Sequence, residues 1–337
     1  MIRVAVDAMG GDRAPQAEIA GVLQALDSLP NEFLIQLVGR GEAIEAELSR
    51  HPNVDRNRLE IHEAADVIGM SEKPLAAVRK KPKSSLVVGL TLQKAGKSDA
   101  FVSAGNTGAT LAASTMILGL HPGVERATAA TLFPTGRDPV LVLDAGANLD
   151  CSARELVGFA YLGTIMMRDL MGRPNPVVGL LNVGEEEEKG TALVREAHLM
   201  LKQAPRINYA GNVEGRDILP GPQQRIPVDV VVCDGFVGNI VLKFYESSGR
   251  LFVELLKERI PDAFDRPAMH DLNRILDYAT YGGAPLLGVR GVSIICHGSS
   301  SPSAIRNGIR VAVQAARAGL SQHIGTEFAL REAAAEA

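Results

Sequence analysis

The chain has little of what marks secreted, membrane-spanning or nucleic-acid-binding proteins. It has three cysteines in 337 residues, far apart and odd in number, which argues against a disulfide framework and a local zinc motif. No apolar run approaches the ~20 residues that a spanning helix needs. Its net charge of −4 argues against a dedicated nucleic-acid binder. We expect no signal peptide and a reducing, cytoplasmic setting.

What the chain does contain is a repeated pairing of a short apolar run with a loop of small polar residues. The five loops are Asp7–Asp12, Ser103–Gly108, Asp144–Asn148, Asp234–Asn239 and His297–Ser301. Apolar runs buried on both faces are typical of parallel strands, and α/β sheets bind ligands where such strands end. Small side chains leave backbone N–H groups free to face an anion. We therefore expect an enzyme that holds a phosphate-like group.

Helical patterns separate most of these strand-like runs, for example at 14–29, 84–94, 108–118 and 154–170. This alternation predicts an α/β fold with a doubly wound, mainly parallel sheet. We expect a single large domain over 1–332, with a protruding helical hairpin at 240–280, and a frayed tail over 333–337.

The hairpin differs from the rest of the chain because it has no strand pattern. Its sequence predicts a helix over 240–259, a break at Pro261 and a second helix over 266–278. Apolar stripes with Arg and Lys among them suit a basic amphipathic element that docks on a membrane or on an acidic protein. The same stripes suit a helix pair that packs on the core or on a second subunit, and the sequence leaves both interpretations open.

Two nucleotide-binding patterns are incomplete. Gly96-Lys97-Ser98 resembles the end of a P-loop, but position 91 is Thr and a helix, not a strand, precedes it. Gly39 and Gly41 supply two glycines of a dinucleotide fingerprint, but Ile44 occupies the third position. We therefore discount NAD. We predict no cofactor and assign no metal ligand, and the sequence leaves a metal requirement open.

The loop at 103–108 carries the strongest chemical signal. Because it joins a strand to a helix, its N–H groups and the helix dipole favour an anion, and Asn106 and Thr107 add side-chain donors. The alternative is a tight turn with an N-cap. The loop at 7–12 has the same placement, and its carboxylates Asp7 and Asp12 could bind a metal, orient a cation or cap a helix.

Cationic groups lie near these loops. The run Arg79-Lys-Lys-Pro-Lys83 is either a solvated face or part of an anion site. His297 suits a proton donor or a phosphate contact, and a structural hydrogen bond is the alternative. The Gly-x-Ser-x-Gly pattern of a serine hydrolase is absent from the sequence.

Taken together, eight ordered strings resemble the bacterial phosphate acyltransferase family of phospholipid synthesis over nearly the whole chain. The strings are DAMGGD (7–12), AVRKKPKSS (77–85), SAGNTGA (103–109), LDAGAN (143–148), LLNVGEEEEKG (180–190), CDGFVGN (233–239), YGGAPLLGVRG (281–291) and HGSS (297–300). The resemblance implies transfer of a long-chain acyl group from acyl-acyl-carrier-protein to inorganic phosphate. The product, acyl phosphate, would serve a membrane acyltransferase that acylates glycerol 3-phosphate.

The resemblance also implies a three-layer α/β/α fold akin to phosphotransacetylases and the isopropylmalate-dehydrogenase-like group. A homodimer and a peripheral attachment to membrane, through 247–280, are further implications. Relatives often have Lys where this chain has Ile295, so no phosphate role is expected there. The tip at Pro261 is shorter and less apolar than in some relatives, so contact with carrier protein or a second subunit competes with membrane docking.

The candidate residues fit this chemistry, because phosphate is a charged nucleophile and needs no Ser or Cys intermediate. We expect the N–H groups of 105–108 and Asn106 to hold phosphate, helped by Lys81 or Arg79. His297 would protonate the leaving thiolate or polarise the carbonyl, and Asp12 and Asp234 would orient cations. The predicted binding residues are Gly10, Gly11, Asp12, Arg79, Ser103, Gly105, Thr107, Gly108, Asp144, Asn148, Asp234, Gly235, Asn239, Gly298 and Ser299.

Two rival functions stay open from the sequence. One is a phosphate acetyl- or butyryltransferase that uses coenzyme A, since it shares the architecture and the reaction type. The other is a non-catalytic, membrane-associated scaffold that binds acyl groups.

Overall fold

The computed structural model describes residues 1–51, 54–135, 138–219, 227–260 and 282–336. The chain divides into two compact units, with unit 1 formed by 1–127 and 282–337 and unit 2 by 128–281. Compactness alone does not establish that a unit folds by itself. The expectation of one domain over 1–332 therefore stays a prediction.

Strands and helices alternate along most of the described chain. The strands are β1 (Ile2–Asp7), β2 (Phe33–Gly39), β3 (Leu59–Glu63), β4 (Ala100–Ser103), β5 (Thr128–Ala129), β6 (Thr131–Phe133), β7 (Val140–Leu143), β8 (Val177–Leu181), β9 (Asn208–Val213), β10 (Val230–Val232), β11 (Ala284–Leu287) and β12 (Ser293–Ile295). The helices are α1 (Gln16–Ser28), α2 (Gly41–Leu48), α3 (Pro74–Lys80), α4 (Ser85–Lys94), α5 (Thr107–Ile117), α6 (Ala153–Met171), α7 (Ala192–Lys202), α8 (Gly235–Arg259), α9 (Pro302–Arg317) and α10 (Leu320–Glu336).

The strands of unit 1 form a mainly parallel sheet. Within the unit their order is β3-β2-β1-β4-β12-β11. The pairs are parallel except β11 with β12. Because β1, β4 and β12 are parallel neighbours, the loops at 7–12, 103–108 and 297–301 open at the same edge of the sheet.

Helix caps fix where the chain turns away from that edge. The hydroxyl of Ser84 caps α4, the amide of Asn106 caps α5 and the hydroxyl of Ser301 caps α9. Behind the caps, β4 and its neighbours are buried, with Phe101 completely covered. Burial of this apolar surface is the main source of stability for the layer that carries the loops.

Unit 2 has its own mainly parallel sheet, in the order β6-β7-β10-β8-β9. Only β6 runs antiparallel, against β7; the other pairs are parallel. Helix α6 begins with a capping box formed by Ser152 and Glu155 and ends at Gly172, whose φ of 65° favours glycine. The loops after β7 and β10, at 144–148 and 234–239, open from adjacent parallel strands.

The predicted α/β class with mainly parallel sheets is confirmed, and α4 and α6 begin and end within a residue of their predicted bounds. Helix α3 was not predicted: Pro74 lies in its first turn and Arg79 and Lys80 in its last, where cations complement the helix dipole. Helix α10 continues to Glu336, through most of the segment predicted to be frayed. None of the helices in the described part of the chain combines the length and apolarity needed to cross a bilayer.

The structure corrects the predicted start of the long helix in unit 2. Helix α8 begins at Gly235 rather than at 240, since the N–H of Val237 donates to Asp234 Oδ1 at 2.8 Å and caps it. A Cβ atom on Gly238 would lie 1.9 Å from the carbonyl oxygen of Asp144, so close packing explains this glycine. The predicted loop at 234–239 is therefore a cap and a helical turn. Pro261 and the second hairpin helix lie outside the described residues.

Candidate functional site

Asp7, at the end of β1, links the first loop of unit 1 to the second. Its Oδ1 accepts the N–H of Met9 at 3.1 Å, and its Oδ2 accepts the hydroxyl of Ser103 at 2.8 Å. Ser103 Oγ in turn accepts the N–H of Gly105 at 3.0 Å. Burial raises the pKa of Asp7, and hydrogen bonds from Ser85, Ser103 and Met9 counter that rise. The carboxyl group therefore fixes the two loops rather than facing solvent.

The start of α5 offers donors to an anion. Asn106 Oδ1 accepts the N–H of Ala109 at 3.0 Å. Within the described ranges, no acceptor lies in hydrogen-bonding position for the N–H groups of Thr107 and Gly108. Thr107 is exposed. Two free amides and the positive end of the helix dipole thus favour an anion at this point.

The side chain of Asn106 has a second task besides capping. Its Nδ2 donates to the carbonyl oxygens of Met70 at 2.9 Å and Glu72 at 3.1 Å, with a longer contact to Gly69 at 3.4 Å. The amide, 8% exposed, is therefore engaged within the protein at both its oxygen and its nitrogen. Asn106 acts as a positioning residue for α5 and for the 69–72 segment, and its predicted contact with substrate stays a prediction.

Lys81 holds the same segment from the other side. Its Nζ donates to Glu72 Oε1 at 2.5 Å and to the carbonyl oxygen of Val67 at 2.8 Å. The ammonium group of Lys81 and the N–H of Gly69 hold the pKa of Glu72 below its usual range. Arg79 is exposed in the last turn of α3. The structure therefore gives Lys81 a local partner and leaves Arg79 as a surface cation.

His297 lies exposed in the third loop of unit 1. The N–H of Ser299 donates to His297 Nδ1 at 3.2 Å, and Ser299 Oγ lies 2.7 Å from the same atom. Because Nδ1 accepts the amide hydrogen, the neutral ring carries its proton on Nε2. This tautomer leaves Nε2–H as a donor, which is the group that the predicted role of His297 requires.

The three loops of unit 1 touch one another. The N–H of Asp12 donates to the carbonyl oxygen of Gly298 at 2.8 Å. A Cβ atom on Gly10 would lie only 2.8 Å from the backbone nitrogen of Gly105. The N–H groups of Gly10 and Gly11 have no acceptor among the described residues. Unit 1 thus brings together Gly10, Gly11, Asp12, Ser103, Gly105, Thr107, Gly108, His297, Gly298 and Ser299.

Asp144 organises the loops of unit 2. Its Oδ1 accepts from the hydroxyl of Thr128 (3.1 Å) and from the N–H groups of Ala129 (2.9 Å) and Ala147 (3.2 Å). Its Oδ2 accepts from the backbone N–H (2.6 Å) and the side-chain amide (3.0 Å) of Asn148. Burial raises the pKa of Asp144, and its donors counter that rise. The carboxylate is a structural anchor for 144–148.

The other predicted residues of unit 2 lie around this anchor. The N–H of Gly235 donates to the carbonyl oxygen of Asn148 at 2.8 Å. Asn239 is exposed and packs on Gly146. Asp234 caps α8, so its predicted role in orienting a cation stays a prediction, as does a site built from all five loops.

Replacing Asp144 with Asn should lower the free energy of unfolding by about 2 kcal/mol. The Asn oxygen can still accept from Ala129, but its amide nitrogen would face the N–H of Asn148, so a buried donor would lose its acceptor. Urea unfolding followed by circular dichroism measures the difference. Glu196→Gln, which removes an exposed carboxylate from α7 of the same unit, should change stability by less than about 0.5 kcal/mol. Equal stability of the two variants would contradict the anchoring role.

Comparison with known proteins decides the family. The family model described as "Fatty acid synthesis protein" matches residues 2–323. A phosphate acyltransferase of Heliobacterium modesticaldum is 46% identical over 335 residues, which cover 96% of this chain and 98% of that protein. A phosphate acyltransferase of Nostoc punctiforme is 43% identical over 339 residues, covering 98% and 97%. The chain belongs to the phosphate acyltransferase family. Membership confirms the predicted class, an acyltransferase enzyme of lipid synthesis.

Solved structures support the fold of this phosphate acyltransferase. It is similar to a phosphotransacetylase from Streptococcus pyogenes, with a TM-score of 0.65, 16% identity and 94% of each chain covered. It is also similar to the EutD phosphotransacetylase from Staphylococcus aureus, with a TM-score of 0.61, 17% identity and 94% of each chain covered. At these identities the similarity shows the fold alone, and it confirms the expected phosphotransacetylase-like α/β/α architecture.

Sequence reasoning missed two parts of this acyltransferase's unit 1. The 69–72 segment carries no recognisable pattern, although it accepts the Asn106 amide and the Lys81 ion pair. Glu18 is an ordinary acidic residue in the first turn of α1 by sequence, yet it is 1% exposed and lies against Gly11. The sequence shows only that Glu18 follows the glycine turn along the chain, and this position does not indicate that the side chain is buried.

The cysteines of this phosphate acyltransferase are poor nucleophiles. Burial raises the pKa of Cys151 to about 11 and that of Cys296 to about 12, and it raises the pKa of Cys233 well above its usual range. Since the thiolate is the reactive form, the raised pKa values keep all three thiols in the less reactive, protonated form near neutral pH.

Proposed function

We propose that this enzyme transfers a long-chain acyl group from acyl-acyl-carrier-protein to inorganic phosphate and so forms acyl phosphate. The observation that carries the proposal is a set of amides at the meeting point of the unit 1 loops that have no acceptor in the described part of the chain. These N–H groups belong to Gly10, Gly11, Thr107 and Gly108. Family membership supplies the reaction class, and the amides supply a place for the phosphate.

In the proposed reaction, a phosphate oxygen attacks the thioester carbon directly. The carbon–oxygen bond forms, the carbon–sulfur bond breaks and the electron pair leaves with sulfur. His297 Nε2–H would donate to the developing oxyanion or to the departing sulfur. An acyl-enzyme intermediate is not needed, because the attacking group is already charged and the cysteine thiols are protonated. The loops hold phosphate in place, which lowers the entropic part of the barrier.

We extend the proposal to the surroundings of the enzyme. The product would pass to a membrane acyltransferase that acylates glycerol 3-phosphate, so a cytoplasmic protein attached peripherally to the membrane, and dimeric, suits this role. Helix α8 supports a surface contact, since it exposes large apolar side chains along its length. They are Phe236, Ile240, Phe244, Leu251, Phe252 and Leu255. The region 247–280 would bind one of three competing partners, which are the membrane, the carrier protein and a second subunit.

The preferred acyl donor should distinguish the proposed function from its nearest rival, an acyltransferase that uses coenzyme A. With purified enzyme, acyl-acyl-carrier-protein should give acyl phosphate, trapped as a hydroxamate, at least about tenfold faster than acyl-CoA, because contacts remote from the thioester contribute to catalysis. Faster reaction with acetyl- or butyryl-CoA would favour the coenzyme A rival. Absence of hydroxamate with every donor would favour the acyl-binding scaffold.

Omission of phosphate tests the direct attack. A single turnover without phosphate should release no free carrier protein. A stoichiometric burst of its thiol under that condition would show an acyl-enzyme and would overturn the proposed mechanism.

A further inference from the structure

Glu18 is a buried carboxyl group that the reaction above does not use. It lies in the first turn of α1 and is 1% exposed. Its Oε2 has no hydrogen-bond partner among the described residues. By contrast, the buried carboxyl group of Asp7 receives donors at both oxygens. Glu18 accepts one hydrogen bond, from its own backbone N–H, so the protein supports a negative charge on Glu18 less than on Asp7.

The carboxyl group lies directly behind the glycine turn of the phosphate site. Glu18 Oε1 is 2.0 Å from where a Cβ atom of Gly11 would be. The neighbouring amides of Gly10 and Gly11 have no acceptor among the described residues. A charge on Glu18 would therefore lie next to the turn where an anion is proposed to bind.

The charges around Glu18 are mostly negative. Asp7 and Asp12 face it with the same charge as an ionised Glu18, and Arg13 is the opposing cation. Directly after β12, the Cys296 thiol lies close enough to Glu18 to interact with its charge. Burial raises the pKa of Glu18 to about 7, with a smaller contribution from these carboxylates, against the lowering effects of its own backbone N–H and of Arg13. Glu18 therefore titrates close to neutral pH.

We propose that Glu18 couples the phosphate site to pH: its carboxyl group must carry a proton for the glycine turn to hold a phosphate-like anion. An ionised Glu18 would repel the anion across the turn, and a bound anion would in turn favour the protonated form. Anion binding is therefore accompanied by proton uptake from solvent near neutral pH. This role makes Glu18 a positioning residue, and it rests on the proposed function only in placing phosphate at this turn.

Sulfate is the probe that isolates the protein's titration, because its own charge does not change across the range. Calorimetry of the full chain should give a sulfate Kd that rises about tenfold between roughly pH 6 and pH 8.5. Glu18→Gln, which is neutral throughout, should have a much smaller rise. Glu42→Gln, in the exposed first turn of α2, should follow the wild type. A wild-type Kd that is flat with pH, or an unchanged slope in Glu18→Gln, would overturn the proposal.

His297 is the other group near the loops that could produce such a slope. His297→Gln should keep the wild-type dependence of the sulfate Kd on pH, and this variant also serves if Glu18→Gln does not fold. Loss of the slope in His297→Gln would assign it to the histidine and overturn the role of Glu18. Because sulfate binding is measured without acyl transfer, a failure to form acyl phosphate would refute the proposed function separately.

Discussion

Replacing Asn106 with Ala should lower turnover about 10²–10³-fold. The substitution removes the acceptor for the N–H of Ala109 and the donor to the carbonyl oxygens of Met70 and Glu72. Both losses free the start of α5, whose exposed amides at 107 and 108 are proposed to hold phosphate. A misplacement of about 1 Å at such a site can cost about 10²-fold in rate. Steady-state kinetics with varied phosphate measure the effect.

Two variants separate the tasks of the Asn106 side chain. Asn106→Asp keeps a good N-cap but places a carboxylate oxygen against the carbonyl groups of 69–72, so we expect turnover to stay low. Thr191→Ala removes the N-cap of α7, and it should cost about 1 kcal/mol of stability with turnover unchanged. Recovery of activity in Asn106→Asp would mean that capping alone matters. Near wild-type activity in Asn106→Ala would contradict both the capping and the clamping arguments.

The fold was largely predictable because parallel strands buried on both faces leave continuous apolar runs. The continuous apolar run Val140–Leu143 is a strand, and the caps of α4 and α6 appear in the sequence as Ser84 and Ser152. The start of α8 was not predictable in the same way. Glycines at 235 and 238 are typical of a loop, but here they permit contact with 144–148, a contact between residues distant in the chain.

The location of the site was predictable from the sequence, but the contacts that each side chain makes were not. Strand ends and glycines marked the loops of unit 1, because these signals are local. The carboxylate that pairs with Lys81 and the acceptors of the Asn106 amide nitrogen lie in the 69–72 segment, up to 37 residues away for the Asn106 amide. No local pattern reports such a partner. Lys81, which was predicted to contact phosphate, and the Asn106 amide, which was predicted to donate to it, are therefore hydrogen-bonded to other residues of the protein instead.

Replacing Gly10 with Ala should lower kcat/KM about 10²-fold and raise the KM for phosphate. A Cβ atom there would lie 2.6 Å from Asp7 Oδ2 and 2.8 Å from the backbone nitrogen of Gly105. Neither neighbour can swing aside, since Asp7 is 2% exposed and held by two donors and Gly105 is met at its backbone. The loops at 7–12 and 103–108 must then move apart, which displaces the amides proposed to hold phosphate.

Gly158→Ala is the matched control for that substitution. Gly158 lies within α6, and a Cβ atom on it would meet nothing within 4 Å. Alanine is the better helix former, so this variant should be as active as the wild type and more stable by up to about 1 kcal/mol. Kinetics and thermal unfolding of the two variants separate local crowding from a general effect of adding a methyl group. If Gly10→Ala kept wild-type kcat/KM, close packing of the two loops would not be required for binding phosphate.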